Sequence, residues 1–227
     1  MGIRSRITRK THTVLFAFGG LRSNPHWATP RNPWDADDHR VPGGSSSGAG
    51  VSLLEGSALI AFGTDTGGSV RVPASMTGNV GLKTTKSRWS TDLITPLSTS
   101  FDTPGILAKS VEDVSFGFSA IDPKANANGS IILEPRPLSG LRIGITKDYF
   151  WDRCGDDVGE IVENTIAELT RAGAKTSTMD VPEAEKQPDE SLMDSLPPDS
   201  WIVLTEPQEL VDELSLIHIS EPTRLGM

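Results

Sequence analysis

Short apolar runs alternate with loops of small and polar residues in the first half of the chain. Apolar and β-branched residues at 11–21 predict a buried strand, and the prolines spread over 24–44 predict a loop after it. Residues 49–57 then indicate a short helix, and residues 58–63 indicate a second buried strand. A glycine-rich loop, 64–71, follows, as expected where backbone comes close to another group.

Helix and strand patterns also alternate in the second half of the chain. Residues 79–83 and 141–145 are typical of strands, and residues 111–121 are typical of a helix. Apolar side chains at helical spacing from residue 158 to residue 169 indicate a longer amphipathic helix, and Gly173 is a stop signal just beyond it. This alternation predicts the α/β class, with a mixed β-sheet core covered by helices.

Composition and charge narrow the class of protein. The chain has 227 residues, of which 36% are hydrophobic, and this is enough to form one or two globular domains. The net charge is -9, so we expect no direct binding to nucleic acid. No apolar stretch reaches the length of a membrane span, and the single cysteine, Cys154, requires no oxidising compartment. We therefore expect a cytoplasmic protein.

Two loops rich in glycine and serine, 43–48 and 64–71, are the strongest candidates for chemistry. Such loops bind phosphates, but the first lacks the Gly-Lys-Ser/Thr of a phosphate loop, and the dinucleotide pattern fails at Leu53. The first loop also satisfies the pattern of a hydrolase nucleophile elbow centred on Ser46. That fold requires a histidine downstream, and only His218 follows, in an unusual C-terminal segment.

A serine can also act without histidine, when a neutral lysine accepts its proton directly or through a second hydroxyl. Such a nucleophile should lie among glycines, because neighbouring backbone N–H groups can then face the developing oxyanion. Ser69 follows Gly67 and Gly68 and fits this description. Ser45 could supply the second hydroxyl.

The two loops and their flanks resemble the amidase signature family. The resemblance is carried by Pro42-Gly-Gly-Ser-Ser-Ser-Gly48, by Gly63-Thr-Asp-Thr-Gly-Gly-Ser-Val-Arg-Val-Pro-Ala74 and by the step between them. The flanks Val80-Gly-Leu-Lys83 and Ser100-Phe-Asp-Thr-Pro-Gly105 agree with it. The resemblance implies an incomplete amidase-signature fold.

The resemblance also divides the chain. Residues 10–213 form the expected partial amidase domain, after an unmatched start at 1–9 and with an acidic linker at about 181–200. Residues 214–227 look like the translation of a sequencing adaptor, so we expect no function for His218. A truncated sheet leaves strand edges unpaired, and aggregation of the isolated chain is therefore expected.

The resemblance implies catalytic roles for two serines. Ser69 corresponds to the nucleophile that forms the acyl-enzyme. Ser45 corresponds to the bridging serine, which in this family usually follows a cis peptide bond, here Gly44–Ser45.

The resemblance also implies roles for the residues around Ser69. Thr66, Gly67 and Gly68 correspond to donors of backbone N–H groups to the oxyanion, together with Ser69 itself. Asp65 and Arg71 would support the loop. An ordinary ion pair is an equally good interpretation of these two residues.

The family's third catalytic residue, a lysine, has no counterpart in this sequence. The only lysine before Ser45 is Lys10, which falls in a block similar to a family strand that comes after the lysine-bearing segment. Because flexible lysines usually stay in water, Lys10 is interpreted as a solvated charge at a strand start. Leu54 also departs from the signature, which has Gly, Ser or Ala there, and should crowd the helix against the sheet.

The implied function is amide hydrolysis through a serine acyl-enzyme, with no metal or organic cofactor, in a chain left inactive by the missing lysine. The expected partner is a small-molecule amide substrate, with no direct nucleic acid and no membrane, and a homodimer is left open. Two alternatives remain. One is the A-type subunit of a tRNA-dependent transamidation complex, which releases ammonia from glutamine. The other is a non-catalytic fragment whose loops bind a small amide or anion.

Overall fold

The computed structural model divides the chain into two compact units, Met1–Leu133 and Glu134–Met227. The residues that it describes are 7, 10–14, 17, 28, 30–35, 37–127, 137–146, 151 and 154–181. Among these residues, no helix has the length and apolar character needed to cross a membrane.

A three-stranded antiparallel sheet forms the centre of the first unit, with strand order β1–β3–β2. Its strands are β1 (Ile60–Asp65), β2 (Val80–Lys83) and β3 (Thr103–Ala108). In the central strand, Ala108 pairs with Ile60 on one side and with Val80 on the other. Successive side chains point to opposite faces, so the sheet offers two separate surfaces for packing.

Helices α1 (Ser47–Leu54) and α2 (Arg71–Met76) pack on the first of these surfaces. The buried cluster between helices and sheet consists of Ala49, Leu53, Ala61, Val70, Ala74 and Leu107. Close packing depends on glycine here, because a Cβ on Gly63 would lie 2.8 Å from the Cβ of Ser46 and closer still to its hydroxyl. Leu53 is fully buried, whereas Leu54 is only half-buried at the end of α1.

Helix α3 (Val111–Ile121) covers the second surface of the sheet and is followed by α4 (Pro123–Ala127). The cluster here combines buried Ile106, Ala108 and Val114 with half-buried neighbours such as Trp89 and Phe118. Helix α3 begins with an N-cap, since the hydroxyl of Ser110 accepts a hydrogen bond from the N–H of Asp113.

The second unit is a strand–helix–strand motif. Strands β4 (Arg142–Thr146) and β5 (Lys175–Met179) pair in parallel, and α5 (Asp156–Arg171) connects them. Gly173, at φ 105°, lies just past the end of α5, where a left-handed residue ends a helix. No side chain of α5 is buried among the described residues.

Most sequence-predicted elements are confirmed, with shifts of a few residues. They are α1, β1, β2, α3, β4 and α5 together with its stop at Gly173, and the α/β class is confirmed as well. Helices α2 and α4 and strands β3 and β5 were not predicted.

The prediction of a strand at 11–21 is wrong for 11–14, which do not form a strand. This segment lies beside the first loop and α1: the N–H of Val14 donates to the carbonyl of Ser45, and the N–H of Gly48 donates to the carbonyl of His12. The backbone that pairs with residues 11–14 enters helix α1 after Ser46, so a ladder of β-sheet hydrogen bonds cannot continue along it. Apart from Ala17, the rest of 11–21 lies outside the described residues, as do 182–227, which contain most of the predicted linker and the whole predicted tail.

Candidate active site

The first serine loop, residues 42–46, is buried between the segment 11–14 and the sheet. Ser45 is 2% exposed and Ser46 is 3% exposed. The Gly44–Ser45 peptide bond is cis, as the resemblance implies.

The second serine loop, residues 66–70, connects β1 to α2 and touches the first. The backbone N–H of Ser46 donates to the carbonyl oxygen of Ser69 over 3.2 Å. Gly43 lies at φ 79° against α2, where a Cβ would be 2.9 Å from the Cα of Pro73. The two sequence-predicted serine loops are therefore brought into direct contact.

Asp65 holds the second serine loop in shape. Its side chain is fully buried and forms a bidentate ion pair with Arg71, with Nη2 to Oδ1 at 2.9 Å and Nε to Oδ2 at 3.1 Å. It also accepts the backbone N–H groups of Gly68 at 2.8 Å and Val70 at 3.1 Å. Burial alone would raise the pKa of Asp65, but the hydrogen bonds and charge of Arg71 and these N–H groups outweigh it and lower the pKa.

The backbone amides around Ser69 differ in what they bind. The N–H of Gly68 is taken by Asp65. Within the part of the chain that the structure describes, the N–H groups of Thr66, Gly67 and Ser69 donate to no partner. These three amides are the ones left for an incoming oxyanion.

Asp102, which sequence reasoning did not single out, contacts the same loop. The Thr66 hydroxyl donates to its Oδ1 over 2.5 Å. Its Oδ2 accepts the N–H of Leu97 at 2.8 Å, and both of its oxygens accept the N–H of Ser98 at 3.1 Å. The only sequence signal was its place in the flanking block 100–105.

The lysines that the structure describes lie outside hydrogen-bonding contact with the two serines. Lys10 is exposed, as expected for a solvated charge. Lys83 is half-buried, its Nζ donates to the carbonyl of Thr84 at 3.0 Å, and burial lowers its pKa. In the described ranges, no lysine nitrogen is hydrogen-bonded to Ser45 or Ser69.

A metal site is not formed by the described residues, which contain no group of three or more His, Cys, Asp or Glu side chains able to hold an ion.

A family model gives the wider context for these loops. The model described as Amidase matches residues 7–199, which include both serine loops and Asp102. The chain belongs to the amidase family. The resemblance seen in its sequence is thus confirmed.

Two curated relatives of this chain differ in the activity they are named for. The chain is 52% identical over 180 residues to the 2-amino-5-chloromuconic acid deaminase of Comamonas testosteroni, covering 79% of this chain and 38% of that protein. It is 37% identical over 198 residues to the A-type subunit of the glutamyl-tRNA(Gln) amidotransferase of Cupriavidus taiwanensis, covering 78% of this chain and 39% of that protein. The chain thus spans less than half the length of either relative.

A solved structure of the A-type subunit of the glutamyl-tRNA(Gln) amidotransferase of Thermotoga maritima shares the fold of this chain. The TM-score is 0.66, and the match covers 92% of this chain and 48% of that chain. The sequences are 23% identical, so this likeness shows the fold alone. It confirms an incomplete amidase-signature fold of the α/β class.

Proposed function

We propose that this chain is the serine-loop portion of an amide hydrolase that acts through an acyl-enzyme on Ser69. The observation that carries the proposal is the hydrogen bond from the N–H of Ser46 to the carbonyl of Ser69, because it joins the two serine loops into one site. Membership of the amidase family and the 52% identity to a protein named as a deaminase support cleavage of a carbon–nitrogen bond.

In the proposed reaction, Ser69 Oγ attacks the carbonyl carbon of an amide, and the N–H groups of Thr66, Gly67 and Ser69 donate to the oxygen that becomes negative. The carbon–nitrogen bond breaks, the amine leaves with a proton, and the acyl group remains on Ser69 as an ester. Water then attacks the ester and releases the carboxylic acid. Ser45 is the proposed relay that passes the proton of Ser69 onward.

The proposed reaction also needs a base that accepts the proton of Ser69, and we propose that this chain does not supply one. Ser45 and Ser69 have no lysine within hydrogen-bonding contact among the described residues. We propose that the family lysine has no counterpart in this sequence. We therefore expect the chain alone to turn over amides negligibly. A small primary amine supplied in solution should partly replace the missing base.

The names of the relatives guide the choice of substrate class and setting. Carboxamides of small organic acids are the first class to test, because the proposed acyl-enzyme requires an acyl group bonded to nitrogen and the Comamonas testosteroni deaminase is named for a small nitrogen-bearing acid. We propose no direct nucleic-acid or membrane partner for this chain. A cytoplasmic location is also proposed, and the single cysteine supports it.

A second candidate is the A-type subunit of a transamidation complex, favoured by the 37% identity to the Cupriavidus taiwanensis protein. That function predicts ammonia release from glutamine that depends on charged tRNA and on a partner subunit. Release without either of them supports the stand-alone hydrolase.

The nucleophile can be tested with a fluorophosphonate, which phosphonylates an activated serine and releases fluoride. With ethylamine present, we expect one adduct on Ser69, found by mass spectrometry of peptides, and no adduct in Ser69→Ala. Ser75→Ala, which changes an exposed serine of α2, is the matched control and should label like the wild-type chain. Labelling that survives Ser69→Ala excludes Ser69 as the nucleophile.

Two further outcomes separate the remaining alternatives. Amide turnover without added amine, abolished by Ser69→Ala, would show that the chain carries its own base and is not defective. A substrate analogue that binds while Ser69 resists the fluorophosphonate, even with ethylamine, would favour the non-catalytic fragment.

A further inference from the structure

The buried carboxylate of Asp102, the residue directly before β3, contacts the loop of Ser69, and the proposed reaction does not use it. Strands β1 and β3 pair as far as Asp65 and Thr103. The residues just beyond this pair, Thr66 and Asp102, therefore lie opposite each other at the end of the ladder. Their side chains meet there, with the Thr66 hydroxyl donating to Asp102.

Two aspartates hold the second serine loop at its two ends. Asp65 fixes the end near α2, since it accepts the N–H groups of Gly68 and Val70. Asp102 fixes the beginning, because its contact is with the side chain of Thr66. The proposed oxyanion-binding amides are those of Thr66, Gly67 and Ser69, and they lie within the stretch 66–70 that the two aspartates hold.

Asp102 also connects the loop to a second segment of the chain. Its carboxylate accepts the N–H groups of Leu97 and Ser98, and its own carbonyl accepts from Nζ of Lys86 at 3.0 Å. Asp102 is 6% exposed, so water cannot freely replace a donor or acceptor removed from this group. The position of Thr66 is thus set relative to residues 97–98 through one carboxylate.

We propose that Asp102 is a positioning residue that acts through the Thr66 hydroxyl to fix the oxyanion-binding amides of the second serine loop. The inference rests on the proposed role of Ser69. Stabilising an oxyanion requires donors already held in place, and a small misplacement lowers the rate strongly. Releasing Thr66 should therefore slow the acylation of Ser69 in molecules that remain folded.

The test uses the full chain and measures the rate of fluorophosphonate adduct formation on Ser69 at fixed ethylamine. Asp102→Asn should slow the reaction by about tenfold to a hundredfold. Asp122→Asn is the matched control, because Asp122 is also a buried hydrogen-bonding aspartate and makes no hydrogen bond to the serine loops among the described residues. It should leave the rate per folded molecule unchanged.

The path through Thr66 is tested by substitutions on the other side of the contact. Thr66→Val removes the hydroxyl at nearly constant shape and should slow the reaction as Asp102→Asn does, whereas Thr66→Ser should retain the wild-type rate. The double variant Asp102→Asn/Thr66→Val should be no slower than either single variant. Additive losses, or an Asp102→Asn chain that reacts at the wild-type rate, overturn the proposal.

Hydrogen–deuterium exchange separates this inference from the proposed function. If wild-type Ser69 does not react, the proposed function fails, and the role of Asp102 is then decided by the hydrogen-bonded amides of the same loop, those of Gly68 and Val70. Faster exchange there in Asp102→Asn and in Thr66→Val, but not in Asp122→Asn or Thr66→Ser, supports positioning. Unchanged exchange at these amides overturns positioning by Asp102. If Asp102→Asn does not fold, the comparison of Thr66→Val with Thr66→Ser decides between these outcomes.

Discussion

Two fully buried aspartates of the first unit hold an arginine in nearly the same way. Asp65 binds Arg71 with Nη2 to Oδ1 at 2.9 Å and Nε to Oδ2 at 3.1 Å. Asp122 binds Arg88 through the same atoms at 2.7 Å and 2.6 Å. The arginine side chains are 36% and 31% exposed, so the two pairs also match in their access to water.

The pairs differ in the remaining groups that they hold. Asp65 accepts the backbone N–H groups of the second serine loop and of the start of α2. Asp122 accepts the indole N–H of Trp89 and the N–H groups of Lys124 and Ala125 at the start of α4. The same chemistry shapes the second serine loop in one place and joins α3 to α4 in the other. A buried ion pair is therefore not by itself a sign of an active site.

The largest expected effect comes from Asp65→Asn. This change leaves the half-buried Arg71 without its counter-charge and should lower the free energy of unfolding by about 3 to 5 kcal/mol. It should also abolish labelling of Ser69 in the molecules that stay folded, because Gly68 and Val70 lose their anchor. Urea unfolding together with fluorophosphonate labelling measures both quantities.

Asp122→Asn is the variant with which Asp65→Asn should be compared. We expect lower stability in urea but an unchanged labelling rate once it is corrected for the folded fraction. Equal loss of labelling per folded molecule in both variants would show that the two aspartates do not differ in their relation to the site.

Acid should weaken both pairs together. In Asp65, the hydrogen bonds and charge of Arg71 overcome the effect of burial and lower the pKa, and in Asp122 the hydrogen bond from Arg88 holds the pKa well below its usual range. A carboxyl whose folded pKa lies below the unfolded value of about 3.9 adds stability above that pH and loses it as the pH falls toward the folded pKa.

The free energy of unfolding should therefore fall as the pH is lowered from about 5 to about 3, and it should fall less in Asp65→Asn. Urea titrations of both chains at several pH values in this range supply the measurement. Parallel curves for the wild-type chain and the variant would contradict the low folded pKa of Asp65.

Local sequence patterns predicted the elements whose apolar spacing is regular, such as α3 and β1. Strand β3 was missed because it contains Pro104 and Gly105, which argue against a central strand. The structure tolerates Pro104 near the strand end, where pairing with β2 has already stopped at Gly105. This register depends on contacts between distant segments and cannot be read from local propensity.

The candidate site shows the same limit. The serine loops with Ser45 and Ser69 could be predicted because their glycine and serine pattern is continuous in sequence. Asp102 could not, since its contact with Thr66 exists only through the pairing of β1 with β3. Sequence patterns thus located the two serine loops and the Asp65–Arg71 pair, whereas the contact between Asp102 and Thr66 required the fold.

A smaller effect is expected from placing methyl groups at two glycines on opposite faces of the sheet. Gly63→Ala drives a Cβ into Ser46, 2.8 Å from its Cβ, and should cost about 1 to 3 kcal/mol and slow labelling of Ser69. Gly117→Ala meets the side chains of Ile60, at 3.1 Å, and Ile106, at 3.6 Å, and gains helix propensity of about 1 kcal/mol. Thermal unfolding and the labelling rate of Ser69 should be measured for both variants. Equal losses of stability and of labelling rate at the two glycines would refute this expected difference.

The smallest effect concerns the serines that precede α1 and α3. Ser110 caps α3 through its hydroxyl, so Ser110→Ala should cost about 1 kcal/mol. Ser46 stands at the corresponding position of α1 but makes no side-chain cap, and its hydroxyl reaches only the Thr64 carbonyl, at 3.5 Å. Ser46→Ala should therefore cost less than Ser110→Ala in urea unfolding. Because the proposed nucleophile is Ser69, the Ser46→Ala chain should still form the fluorophosphonate adduct on Ser69. Loss of that adduct would make Ser46 the candidate nucleophile.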